Sequence, residues 1–267
     1  MPTAVERLRH VTAKLDRAKQ HMQHLERLHH TFLKSNPYKV ATKRDPQTKR
    51  LIYYVSAIDQ PMGDFSTTVG DVLQNLVSTL DHLAYQLVCI GMGSEGPFDH
   101  VYFPFADTAA KYQSKAPQKV KGMRPNAIIA IDGLKPYKGG NDSLWRLYKL
   151  NNVDKHRLLI TVGSAFRSVN IGALLHKSMQ EMWNNKGASF PPMDFYLKPA
   201  DRLFPLKIGD ELFIDGPDAE ENEKMQFVFE VAFGEPKIVE GEPLLETLHQ
   251  MTKVVDGIIP SFVPLLV

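Results

Sequence analysis

Two short segments concentrate the residue types that move protons and hold anions. The first is STLDHLAYQL, residues 78–87, where Asp81 and His82 are adjacent. The second is LNNVDKHRLLI, residues 150–160, which sets Asn151, Asn152, Asp154, Lys155, His156 and Arg157 among apolar residues. Histidine suits proton transfer near neutral pH, and a neighbouring carboxylate orients the ring and supports its charged form. His82 and His156, with Asp81 and Asp154, are therefore the candidate acid/base groups. Lys155 and Arg157 are of the type that holds a phosphate or carboxylate. Two His and one or two Asp are also a ligand set that leaves open positions on a transition metal. No metal site is assigned, and the cofactor stays unassigned. His21 and His24 share a helix face but have no acid beside them. A P-loop, a nucleophile elbow and an HExxH motif are all missing from the sequence.

These groups need elements to position them. STTVGDVLQNLVSTLDHLAYQLVCIG, residues 66–91, reads as a long helix without Lys, Arg or Glu. A helix on a protein surface carries charge on its outer face, so this one is expected to be covered by protein. Its polar stripe is Asp71, Asn75, Ser78, Thr79, His82 and Gln86, at steps of three and four. Buried and unpaired, each such group would cost about 1–3 kcal/mol. The helix NDSLWRLYKLNNVDKHR, residues 141–157, has one stripe of Leu144, Leu147, Asn151, Asp154 and Leu158. The other is Trp145, Tyr148, Asn152 and His156. Both become polar at the C-terminal turn. Bases there also complement the helix dipole, by roughly 0.3–1 kcal/mol each. That accounts for Lys155, His156 and Arg157 but not for the amides and the acid. The expectation is that the two helices meet. His82, His156, Asp81, Asp154, Asn151 and Asn75 would then form one polar pocket, with Asn75, Asn151, Asn152, Lys155, Arg157 and Trp145 contacting substrate.

The remaining chain supports an α+β fold, a bundle of long helices with an antiparallel β-sheet in the C-terminal half. Residues 1–267 read as a single domain. Residues 1–157 are mainly helical with a β-hairpin at 38–57, 158–235 are mainly β, and 243–260 form a C-terminal helix. Apolar residues from Val5 to Phe32 recur at helical spacing, and Asn36-Pro37 ends that helix. Short helices are predicted near 107–115 and 125–134. LLITVGSAF, VNIGALL, MDFYLK, LFPLKI, ELFID and MQFVFEVAF read as strands, with Gly209-Asp210 a tight turn.

Composition narrows the function classes. The net charge of +2 hides an asymmetry. Residues 1–50 hold twelve Lys/Arg against four Asp/Glu, a local net of +8, and residues 209–246 hold two against twelve, a net of −10. Residues 111–124 add five bases and no acid. A polyanion would find a basic side, or the two ends neutralise each other. The single cysteine, Cys89, rules out a disulfide framework within the chain and suggests a reducing compartment. With no secretory segment or apolar run of spanning length, the expected location is cytoplasmic, with no membrane partner.

GDVLQNLVSTLDHLAYQL and LWRLYKLNNVDKHRLLI together resemble a group of bacterial proteins of similar size that carry LDHLAY-like and N-x-DKHR-like segments. That resemblance implies no reaction. His82 on its helix also resembles the histidine of the HEPN helical bundles, ribonucleases and nucleotide-binding modules whose motif is Arg, four to six residues, then His. The resemblance implies a helical bundle and a dimer. A homodimer is also expected from the cover that residues 66–91 need. RNA or a nucleotide as partner, with a defence or toxin role, is the function hypothesis built on the resemblance. The matching arginine is absent, since positions 75, 76 and 77 are Asn, Leu and Val. Only His82, with Asn75 as companion, carries over. Arg17 and His24 have the spacing, in a helix full of both residue types. Three readings stand at this point: a HEPN-like protein acting on nucleic acid or nucleotides, a metal-dependent or small-molecule enzyme using the same pocket, and a non-catalytic protein whose polar groups satisfy one another.

Overall fold

The computed structural model describes residues 2–61, 63–156, 160, 162–183, 191, 193–199 and 203–267. The first helix, α1 (Ala4–Lys34), starts at a capping box: the Glu6 amide donates to the Thr3 hydroxyl, and the Thr3 amide donates to the Glu6 carboxylate at 2.7 Å. It buries Val11, Leu15, Ala18, Met22 and Leu25, the apolar stripe read from sequence. A hairpin of β1 (Tyr38–Arg44) and β2 (Leu51–Ile58) follows. The helix without Lys, Arg or Glu is α2 (Gly63–Met92), and sixteen of its residues are buried. Its cover comes from the same chain. It packs on α1, on α5 (Asp142–His156) and on α7 (Leu244–Phe262). Between α2 and α5 lie α3 (Ala109–Lys119) and α4 (Pro125–Gly133).

The fold is α+β, as expected, but its β part is two three-stranded antiparallel sheets rather than one. One has the order β1-β2-β5, with β5 spanning Glu211–Ile214. The N-terminal hairpin is thus completed by a strand from the acidic C-terminal half. The other has the order β4-β3-β6, with β3 Val162–Asn170, β4 Tyr196–Leu197 and β6 Gln226–Phe233.

Two predicted strands are corrected. VNIGALL leaves the sheet at Asn170 and becomes α6 (Gly172–Trp183). The Asn170 side-chain oxygen accepts from the Gly172 amide at 2.9 Å, which favours helix initiation over strand continuation. LFPLKI forms no strand, although Leu206 donates to the Ser164 carbonyl. Pro205 has no N–H to offer a ladder. The opening LL of LLITVGSAF lies outside the described residues.

Two apolar cores result. The larger joins α1, α2, α5 and α7 with Phe103, Phe105, Val231 and Phe233. The smaller lies between the sheets, around Tyr38, Val55, Phe166 and Leu212. Among the described residues, no helix is long and apolar enough to cross a membrane.

Candidate functional site

The two long helices run antiparallel. Arg7, near the start of α1, donates to Gln86 near the end of α2 at 2.6 Å. His21, further along α1, has Nδ1 3.7 Å from Asp71 Oδ2 near the start of α2. Between these contacts His10 and Lys14 of α1 face His82 across a groove of about 620 Å³. Ser78, Asp81, Tyr85, Val101 and Tyr102 are also part of its lining. One end is clamped by the Arg7 guanidinium, only 3% exposed, which also pairs with Glu95. Tyr85 adds a bond from its hydroxyl to the Glu95 carbonyl at 3.0 Å.

The electrostatics differ between the two adjacent residues of the LDHLAY segment. His82 is half-buried. Desolvation, then the charges of Lys14 and His10, push its pKa below the ordinary imidazole value. Its neutral form is therefore favoured, ready to accept a proton. Asp81 accepts from the Phe103 amide at 2.8 Å. Burial raises its pKa, against the lowering effects of that hydrogen bond and of Lys155 and Lys119. Lys119 is itself held below its usual value by burial, partly offset by Asp81. Tyr102 stands at the rim, 55% exposed.

The C-terminal turn of α5 reaches α2 at another level. An ideal Cβ built on Gly70 would lie 2.5 Å from the Asp154 carboxylate, so that carboxylate rests against the α2 backbone where no side chain projects. Gly70 and His82 are twelve residues apart, about 18 Å along a helix axis. Asp154 therefore belongs with Asp71 and His21, not with His82. Burial raises the Asp154 pKa, with Asp71 adding to the effect and Lys155 opposing it. His21 is shifted down by desolvation, against the pull of Asp71. Lys155, exposed, acts on both Asp81 and Asp154 and links the two levels electrostatically.

The expected single pocket is thus divided. Asp81 and His82 both line the α1–α2 groove, His82 beside Lys14 and His10 of α1 and Asp81 bonded to the Phe103 amide. Asp154 sits near the other end of α2. Asn75 donates to the Asp71 carbonyl of its own helix at 2.7 Å. Asn151 is buried, and its side-chain oxygen has no hydrogen-bond partner among the described residues. Asn152 is half-buried. Trp145 is buried, its indole N–H is also unpartnered, and Lys138 lies 4.8 Å from its ring centre. His156 is the last residue of α5, but its side chain lies outside the described residues, as does Arg157.

Sequence reasoning missed His10 and Lys14 as site residues. They are one helical turn apart and flank Val11 and Leu15 in the apolar stripe. An antiparallel pairing of α1 and α2, started from either end, would have put them opposite His82. Among the described residues, no group of three or more His, Cys, Asp or Glu is arranged to hold a metal ion. Comparison with protein-family models, with curated proteins and with solved structures finds no match.

Proposed function

We propose that the α1–α2 groove binds a nucleotide or single-stranded RNA and that His82 acts there as a proton acceptor in phosphodiester cleavage. The observation that carries this reading is the shared groove of His82, His10 and Lys14. The desolvated His82 ring takes the proton of a ribose 2′-hydroxyl. The O2′–P bond forms, the P–O5′ bond breaks, and His10 gives a proton to the leaving O5′. Lys14 supplies positive charge to the non-bridging oxygens. Tyr102, exposed at the rim, offers a ring on which a base stacks. The products are a 2′,3′-cyclic phosphate and a 5′-hydroxyl. This reading keeps the HEPN-like expectation for His82 but assigns the second imidazole to His10. No catalytic group is drawn from a second copy, so a homodimer is not required.

The test is incubation of purified protein with an end-labelled single-stranded RNA and with its 2′-deoxy counterpart. Cleavage of the RNA alone is expected, with H82A and H10A each slowing it 10²–10⁴-fold, about the usual worth of an acid/base group. Absence of both RNA cleavage and nucleotide binding would overturn the proposal.

A non-catalytic reading is favoured by one observation. Asp81 already accepts the Phe103 amide, a contact that serves the fold. If H82A shifts only the melting temperature, that reading replaces the first.

A further inference from the structure

A second groove, of about 570 Å³, lies between α3 and α4. Its volume is in the range that holds a small organic ligand, and its lining has the usual character of such sites, apolar with a few polar groups. Ala116, Val120 and Ile128 supply the apolar surface. Tyr112 and Tyr137 stand with ring centres 5.4 Å apart. The Tyr112 hydroxyl donates to one Asp132 oxygen at 2.7 Å, which fixes the carboxylate beside the rings. Lys121 is the basic side chain of the lining, exposed and on a long flexible stem.

The groove therefore offers one anchored acid, one mobile base and an apolar floor with two aromatic rings. We propose that it binds a small zwitterion with an apolar side chain, of the class of a free aromatic amino acid. The ligand's ammonium group would meet Asp132, its carboxylate would meet Lys121, and its ring would lie on the tyrosines. A simple cation or a simple anion would use only one of the two charges. This site is independent of the α1–α2 groove and its reading.

The experiment is calorimetric titration of the full chain with L-tryptophan, tryptamine and indole-3-propionate. Saturable binding of L-tryptophan, at least fivefold tighter than either analogue, is expected. Asp132→Asn keeps an acceptor for the Tyr112 hydroxyl but loses the charge, and Lys121→Gln alters only an exposed side chain. Each should weaken L-tryptophan binding fivefold or more, with the tryptamine affinity falling only in the first and the indole-3-propionate affinity only in the second. No saturation with any of the three, equal affinity for all three, or variants that bind like the parent would overturn the assignment.

Discussion

His82 and Asp81 are neighbours in sequence, yet burial drives their protons in opposite senses. Desolvation disfavours the charged form of each, so the imidazole tends to lose its proton and the carboxyl to keep one. Lys14 reinforces the first effect, and a nuclear magnetic resonance titration of the His82 ring checks it. Its pKa should lie below the ordinary 6.5, and Lys14→Gln should move it upward. For Asp81 the consequence is a stability that depends on pH. The folded chain holds this proton more tightly than the unfolded chain, whose ordinary value is 3.8. Its contribution is then complete below 3.8 and is lost as pH climbs through the raised folded value. Asp81→Asn keeps an acceptor for the Phe103 amide and removes the ionisation. Thermal melts should show the variant more stable than the parent at neutral pH, with the difference vanishing below pH 3.8. Arg7 is a different case, a buried guanidinium shared by Gln86 and Glu95. Arg7→Ala strands the Gln86 acceptor and should cost about 1.5–3 kcal/mol in urea denaturation. The candidate acid/base pair at 81–82 was legible from residue type alone. His10 was not, because nothing local distinguishes it from the four other histidines of α1.

At the scale of elements, helical periodicity carried α1, α2, α5 and α7, because each has a stripe wide enough to need one buried face. Where a short apolar run met a capping side chain, the pattern misled. VNIGALL suits either a strand or a helix over seven residues, and Asn170, its second residue, decides. The C-terminal end of α2 makes a sharper test. An ideal Cβ on Gly91 would lie 1.9 Å from the Gly122 carbonyl oxygen, so backbone meets backbone there. Neither α2 nor the turn before α4 can yield by rotating a side chain. Gly91→Ala should lower stability by about 1–3 kcal/mol or more, the cost of overpacking, read from the denaturation midpoint. Gly70→Ala is the milder partner, because the Asp154 carboxylate can swing away.

Across the whole molecule, α7 closes the larger core against α1, α2 and α5, while Phe32 packs against both cores. Tyr38 adds a hydrogen bond from its hydroxyl to Ser164 at 3.1 Å, joining the two sheets. These links lead us to expect one unfolding transition, seen together by far-ultraviolet dichroism and by fluorescence. Leu248 is fully buried in the larger core, and Leu248→Ala should destabilise by about 2–5 kcal/mol. If the sheets melt separately from the helices, Leu248→Ala will shift only one of two transitions, and the expectation of a single cooperative domain fails.

The amino-acid sequence by itself determined the long helices, the first hairpin, the lack of Lys, Arg and Glu in α2 and the polar groups along it. Each follows from spacing within one segment, which chain-local physics controls. Only the tertiary structure decided which polar groups share a space. The helix register sets Asp154 at Gly70, a dozen residues from His82, and brings His10 and Lys14 opposite that imidazole instead. The pairing of the N-terminal hairpin with β5 was settled in the same way. Contacts between distant segments depend on how whole faces pack, and no window along the chain contains both partners.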